Sequence, residues 1–252
     1  MTAPCPTACG VLKLLSEVRR KPLGTGPIHN YFLFTGPRAT VIFYLVNILH
    51  IISSPRKAAS ASIQLGNGII EKLEAAYPGS TVKVHDLATT PFPHLEEAKL
   101  QSFFTPAESR SPEQQAAAKH SDDAIQEIKD ADVIVIGAPL YNFGIPSTLK
   151  AWVDHIARAG ITFRYTAGGP EGLITGKKVY VAMSSGGIYS EGPSAGYDFV
   201  APYLKAVLGF LGITDVTVVR AEGLAIPGVQ DTAVQKALDS VVIEALQTEE
   251  VL

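Results

Sequence analysis

The sequence predicts an α/β protein built on a doubly wound, five-stranded parallel sheet with helices on both faces. Three observations predict it. From residue 47 onward, short β-branched runs alternate with amphipathic stretches, the pattern of strand–helix units that feed a parallel sheet. The run Asp132–Gly137 (Asp-Val-Ile-Val-Ile-Gly) is apolar on both faces, as a central parallel strand must be. The chain has 252 residues, 46% hydrophobic and 18% charged, which is enough apolar material for a real core and too little charge for a disordered chain.

Composition also narrows the function. A net charge of −3 and a pI near 6.1 lack the basic footprint of a nucleic-acid binder. The two cysteines, Cys5 and Cys9, lie in the first ten residues. A disulfide scaffold is therefore excluded, and the body of the chain holds no thiol for nucleophilic or metal chemistry. The longest apolar stretch, Ala39–Ile52, is interrupted by Asn47 and His50 and falls short of the ~20 residues of a membrane helix. A cytoplasmic protein without nucleic-acid or membrane partners is expected.

The elements follow in order. Residues 1–46 carry scattered prolines and glycines and no sustained period. They are expected to be a poorly ordered extension, with one short helix over Val11–Arg19 and with Val46 a candidate native start. Residues 47–252 form the folded domain. Asn47–Ile52 is an apolar strand stopped by Ser53-Ser54-Pro55. A helix follows, with Ile69, Ile70, Leu73 and Tyr77 at helical spacing. Thr81–Asp86 alternates as a strand, and a Pro- and Phe-rich loop runs from Pro91 to Pro106. Ser111-Pro112-Glu113-Gln114 starts a helix to about Lys129: Ser caps, Pro takes the first helical position, and Gln completes a capping box. After the strand at Asp132, Ser147–Arg158 is a helix, Lys178–Ser184 a strand, Phe199–Leu211 a helix, Asp215–Ala221 a strand and Val229–Leu246 a closing helix.

In such a sheet ligands bind beyond the carboxyl ends of the strands, at the switch point. The loop after the first strand, residues 53–62, holds Ser53, Ser54, Ser60 and Ser62 and opens directly into a helix. Free amides and the positive helix end suit an anion, and hydroxyl donors suit a phosphate monoester. No G-x-G-x-x-G follows that strand. Gly172–Lys178 imitates a P-loop, but it has three residues between its glycines, Lys in place of Ser or Thr, and a strand after it. The loop over 138–147 sets Tyr141, Asn142 and Phe143 between Pro139 and Pro146, and Ser184-Ser185-Gly186-Gly187 offers small residues for close backbone approach. Together the three loops point to a phosphorylated, planar cofactor.

Four segments carry a family resemblance: Asn-Ile-Leu-His-Ile-Ile-Ser-Ser-Pro-Arg (47–56), Ala-Pro-Leu-Tyr-Asn-Phe-Gly-Ile-Pro-Ser-Thr-Leu-Lys-Ala-Trp (138–152), Ala-Arg-Ala-Gly-Ile-Thr-Phe-Arg-Tyr-Thr (157–166) and Gly-Pro-Glu-Gly-Leu (169–173). With Tyr203-Leu204 and Leu208–Ile213 they closely resemble the FMN-dependent NADH-azoreductase/quinone reductase family over residues 47 to about 247. The resemblance implies a flavodoxin-like fold and a homodimer with one FMN per subunit. It also implies ping-pong electron transfer from NADH or NADPH to quinones or aromatic azo compounds. Its FMN contacts fall on Ser54, Ser60, Ala61 and Ser62 for the phosphate, on Leu140, Tyr141, Asn142 and Phe143 beside the ring, and on Ser184, Ser185, Gly186 and Gly187 near the ring's far edge. Flavin carries the chemistry in such enzymes, so no catalytic side chain and no metal is expected. Phe143 and Phe163 are candidate walls for flat substrates; Phe163 reads equally as a core aromatic. Tyr189 and Tyr197 follow the fourth strand's loop, where solvent exposure is the simpler expectation. The six histidines have no metal-ligand spacing. A flavodoxin-type electron carrier is the main rival reading. A response-regulator switch would need acidic residues at the strand ends, where this chain has Ser53-Ser54.

Overall fold

The computed structural model describes residues 30–36 and 39–243, with side chains from residue 45 onward. Its centre is the five-stranded sheet in the order β4-β3-β5-β8-β9. The strands are β3 (Asn47–Ile52), β4 (Thr81–Asp86), β5 (Val133–Pro139), β8 (Lys178–Ser184) and β9 (Asp215–Ala221). All four pairings are parallel. The winding reverses between β3 and β5, whose ends align at Ile52 and Gly137; the crevice there is the topological switch point.

Alternate strand residues feed two separate cores. Leu49, Ile51, Ile134, Ile136, Val181 and Met183 pack with Trp152, Ile156, Leu204 and Leu208 under the helices α3 (Pro112–Asp130), α4 (Ser147–Ile156) and α5 (Ala201–Phe210). Ile48, Val133, Val135 and Tyr180 pack with Leu65, Ile69 and Leu73 under α1 (Ala61–Ala76) and α6 (Gln230–Asp239). β5 is buried at every position, which is why its sequence shows no alternation. The capping box forms as the sequence requires: Gln114 N donates to Ser111 Oγ at 3.3 Å and Ser111 N to Gln114 Oε1 at 3.1 Å.

Three segments differ from the sequence expectation. Within the Pro- and Phe-rich loop lies a helix, α2 (Glu97–Phe104); it buries only Ser102 and so shows no apolar period. The stretch between α4 and β8 holds a hairpin, β6 (Phe163–Thr166) with β7 (Gly169–Gly172), braced across the strands by Arg164 and Glu171 at 2.8 Å. In the extension, β1 (Asn30–Gly36) and β2 (Ala39–Leu45) pair antiparallel in a sheet of their own. The helix expected over Val11–Arg19 lies outside the described residues. So does the last part of the closing helix, beyond residue 243.

Candidate functional site

The three suspected loops stand at adjacent strand ends. The first begins with Ser53, whose hydroxyl donates to the Gly137 carbonyl at 2.6 Å and whose own carbonyl accepts from Thr148 Oγ1 at 3.3 Å. Ser53 therefore ties β3 to β5 and to α4. Ser54, also buried, lies 3.3 Å from Tyr141 Oη and accepts the Arg56 amide. Ser60 sits at the cap of α1 in extended conformation, yet its hydroxyl makes no capping bond. It pairs instead with Ser62 Oγ at 3.0 Å. Both side chains are buried, and the Ala61 and Ser62 amides donate to no acceptor among the described residues. Two buried hydroxyls that satisfy only each other, beside open helix-start amides, form a cradle for an anion. Arg56 and Lys57 stand exposed on the same loop, and no acidic residue occurs between 53 and 70.

The second loop is fixed by a tight turn. Tyr141 and Gly144 exchange both backbone hydrogen bonds at 3.0 Å. Between them Asn142 and Phe143 take φ values of +48° and +69°. Two successive positive φ angles make this a type I′ turn, which favours Asn at its first central position and Gly at its second. Phe143 is out of place there by propensity, and its ring stands about half exposed. Its carbonyl accepts the Phe199 amide at 3.1 Å. Leu140 N reaches Ser184 O at 2.8 Å, which joins this loop to the third.

In the third loop the Ser185 hydroxyl donates to Gly187 O at 2.8 Å, so it is spent within its own turn. The loop is laced to residues 223–225 through its three carbonyls, of Ser185, Gly186 and Gly187. The Gly186 and Gly187 amides donate to no acceptor among the described residues. An edge of backbone donors thus faces outward from small residues.

The structure brings twelve of the expected residues together on these loops and excludes one. Phe163 is buried in the core, its ring 4.4 Å from that of Phe210. A wall for a flat substrate needs a free face, so Phe163 is a packing residue. Tyr189 and Tyr197 do meet Phe143, with ring centroids at 6.5 and 5.3 Å. The sequence reading missed the start of α5. A cavity of about 1070 Å³ opens beside Tyr141 and Asn142 and extends to Ile145, Phe199 and Tyr203. The serine cradle and the Gly186-Gly187 turn lie outside its lining. Burial pushes the Tyr203 hydroxyl above its usual pKa, so it remains a neutral donor there. Among the described residues no cluster of His, Cys, Asp and Glu has metal-site geometry.

Comparison with known proteins identifies the family. The model of the flavodoxin-like fold family matches residues 46–243. An FMN-dependent NADH:quinone oxidoreductase of Herminiimonas arsenicoxydans is 53% identical over 181 residues, 72% of this chain and 89% of that protein. The crystal structure of an azoreductase from Bacillus anthracis str. Sterne superposes with a TM-score of 0.72 at 30% identity, covering 77% of this chain and 96% of that one. An FMN-dependent NADH-azoreductase from Bacillus anthracis str. Ames Ancestor, solved in complex with FMN, gives 0.69 at 30% identity over 77% and 97%. On the extent of the family match and on identity above one half, the chain belongs to the FMN-dependent NADH:quinone oxidoreductases of the flavodoxin-like fold.

Proposed function

We propose that the protein is an FMN-dependent oxidoreductase that takes two electrons from NADH, or from NADPH, and passes them in a ping-pong cycle to quinones. The same site cleaves aromatic azo compounds to amines. One observation carries the reading: an anion cradle at the start of α1 and a pair of ring-sized loops share one edge of the sheet. FMN has a phosphate at one end and a flat ring at the other, and the residues present fit both. When bound, it supplies the two-electron chemistry that the side chains lack.

The chain's own residues bind and orient. Ser60 and Ser62, with the Ala61 and Ser62 amides and with Ser54 on the same loop, would hold the phosphate. Leu140, Tyr141, Asn142 and Phe143 would line the ring, and the open Gly186 and Gly187 amides, on the loop that starts at Ser184 and Ser185, would offer donors to its polar edge. Backbone donors aimed at a developing negative charge stabilise it without reorganisation. With FMN bound, one open face would take the nicotinamide and then the acceptor in turn, the order that a ping-pong cycle requires. A quinone needs one such cycle; an azo bond, cleaved to two amines, needs two.

The working unit is a homodimer. Phe143, Tyr197 and Phe199 are 46%, 53% and 58% exposed around the site, an apolar rim that a second subunit would cover. The proposed compartment is the cytoplasm, which supplies reduced nicotinamide. Residues 47–252 are the catalytic unit and 1–46 an extension to it. An electron carrier on the same fold would bind FMN but would not turn over. The test is a visible spectrum, light scattering, and NADH consumption with a small quinone and an azo dye. A yellow dimer that consumes one NADH per quinone and two per azo bond is expected. A protein colourless after soaking in FMN overturns the reading. A yellow protein inert to quinones supports the carrier.

A further inference from the structure

Three charged residues, Asp198, Arg220 and Glu222, form a network that reaches both ring loops. Arg220, on β9, places its guanidinium between two carboxylates. Nη2 lies 2.6 Å from Asp198 Oδ2, and Nη1 lies 3.5 Å from Glu222 Oε1 and 3.2 Å from Met183 Sδ. Each carboxylate in turn holds backbone. Asp198, buried, accepts the Val200 and Ala201 amides at 2.9 and 3.0 Å and so fixes the start of α5. The residue between, Phe199, gives its own amide to the Phe143 carbonyl. On the other side Glu222 Oε1 accepts the Tyr189 amide at 2.9 Å, and the Gly223 amide that follows it donates to Gly187 O at 3.0 Å.

One guanidinium therefore stands behind both loops of the ring site. We propose that Arg220 is a positioning residue for the flavin: through Asp198 it holds the Asn142–Phe143 turn, through Glu222 the Gly186-Gly187 loop, and so it sets the gap between them. This rests on the reading of the site as an FMN site. The choice of residue has a physical reason. Only a planar, five-donor fork engages two carboxylates at once in fixed geometry; a lysine ammonium is a point charge on a flexible stem. The turn also needs an outside hold. Phe143 at φ +69° is strained, and such backbone persists only where its surroundings over-determine it.

The network also carries charge, two carboxylates against one guanidinium. Removing the cation leaves net negative charge behind the ring loops, and removing one carboxylate relieves it. The effect on a bound flavin has opposite sign in the two cases. Arg220→Met makes the flavin harder to reduce, and Asp198→Asn makes it easier. The sign reversal reports that the network lies within electrostatic reach of the ring, and an equal loss of FMN and riboflavin affinity reports its hold on the ring loops.

The experiment measures midpoint potentials of the bound flavin, and affinities of the apoprotein for FMN and for riboflavin, in Arg220→Met, Arg220→Lys and Asp198→Asn. Arg220→Met is expected to weaken FMN and riboflavin alike, by about tenfold, the scale of one lost positioning contact, and to shift the potential negative. Asp198→Asn keeps an acceptor for the α5 amides and shifts the potential positive. Arg220→Lys keeps the charge, holds the potential near wild type and binds both flavins with intermediate affinity. If Arg220→Met does not fold, the other two variants carry the test. Potentials unchanged in Arg220→Met and Asp198→Asn, or a loss confined to FMN with riboflavin unaffected, would overturn the proposal. A wild-type protein that binds neither flavin overturns the site reading itself, and this inference with it.

Discussion

Gly66, on α1, lies directly against the ring of His50 on β3: a Cβ at position 66 would fall 2.7 Å from His50 Nε2. His50 is 1% exposed, and its Nε2 has no hydrogen-bond partner among the described residues. The helix that carries the serine cradle therefore rests on a histidine and can do so only where it has no side chain. Gly66→Ala is expected to destabilise the protein by about 1–3 kcal/mol, the usual cost of overpacking. It should also weaken FMN binding, because relief of the clash moves the start of α1. Urea unfolding and flavin titration check both. An unchanged midpoint would show that the ring has room to move.

The same histidine gives a pH dependence. Burial lowers the His50 pKa from 6.5 to about 4, opposed by the weaker pull of Asp86. The neutral ring is the native form. Between pH 6.5 and 4 the unfolded chain binds a proton that the folded one refuses, so stability falls as pH falls through that window. At about 1.4 kcal/mol per pKa unit, the loss is about 3 kcal/mol by pH 4, and the contribution is fully present above pH 6.5. Burial shifts His155 in the same direction. Urea unfolding at pH 7.5, 6 and 4.5 should show the slope, and His50→Leu should flatten part of it. Equal slopes in the two proteins would refute the assignment.

Four strands could be read from the sequence to the residue: Asn47–Ile52, Thr81–Asp86, Lys178–Ser184 and Asp215–Ala221. Each is a β-branched run between turn formers, so the local signal and the tertiary fold agree. The α2 helix was invisible because it leaves Leu100 and Phe104 exposed, so no buried stripe marks it. The serine-rich loop before α1 and the loop over 138–147 were legible as candidate sites because consecutive residues build them, whereas the turn at Asn142 and Phe143 was not read. The pair Asp198–Arg220 was not. Its partners lie 22 residues apart, one on β9 and one in the loop before α5, and meet only in the folded chain, and neither shows a local pattern. Phe163 was ambiguous for the same reason, since only its packing on Phe210 decides its role.

The phosphate cradle separates binding from turnover. Ser60→Ala and Ser62→Ala each remove a hydroxyl from a charged ligand, a loss of roughly 1.5–3 kcal/mol, or roughly 10- to 150-fold in dissociation constant. The helix-start amides remain, so FMN binding weakens rather than vanishes. Riboflavin has no phosphate and should bind the variants as it binds wild type. Turnover at saturating FMN should hold, because the electrons move at the other end of the cofactor. A double variant with unchanged FMN affinity would remove the cradle from the site.

Deletion of residues 1–45 tests the extension. The five-stranded sheet begins at Asn47, and among the described residues β1 and β2 pair only with each other. The shortened protein is expected to keep its FMN affinity and its quinone reductase rate. Loss of folding on deletion would show that the extension belongs to the domain.

Phe143 poses a choice between stability and function that one substitution can resolve. A non-glycine residue in the left-handed region costs about 1–2 kcal/mol, and the second central position of a type I′ turn is where glycine is favoured. Phe143→Gly should relieve that strain and leave the Asn142 φ and the Tyr141–Gly144 bridge in place. It also removes the ring that meets Tyr189 and Tyr197. The variant is therefore expected to unfold at the same temperature as wild type or higher, while its KM for flat quinones rises and its FMN affinity falls. The two outcomes pull in opposite directions, and that is the content of the test. A strained aromatic kept for packing alone would lose stability when removed and leave KM unmoved. A gain in melting temperature together with a raised KM would show that Phe143 is held against its conformational preference for the sake of the ring it presents to the site.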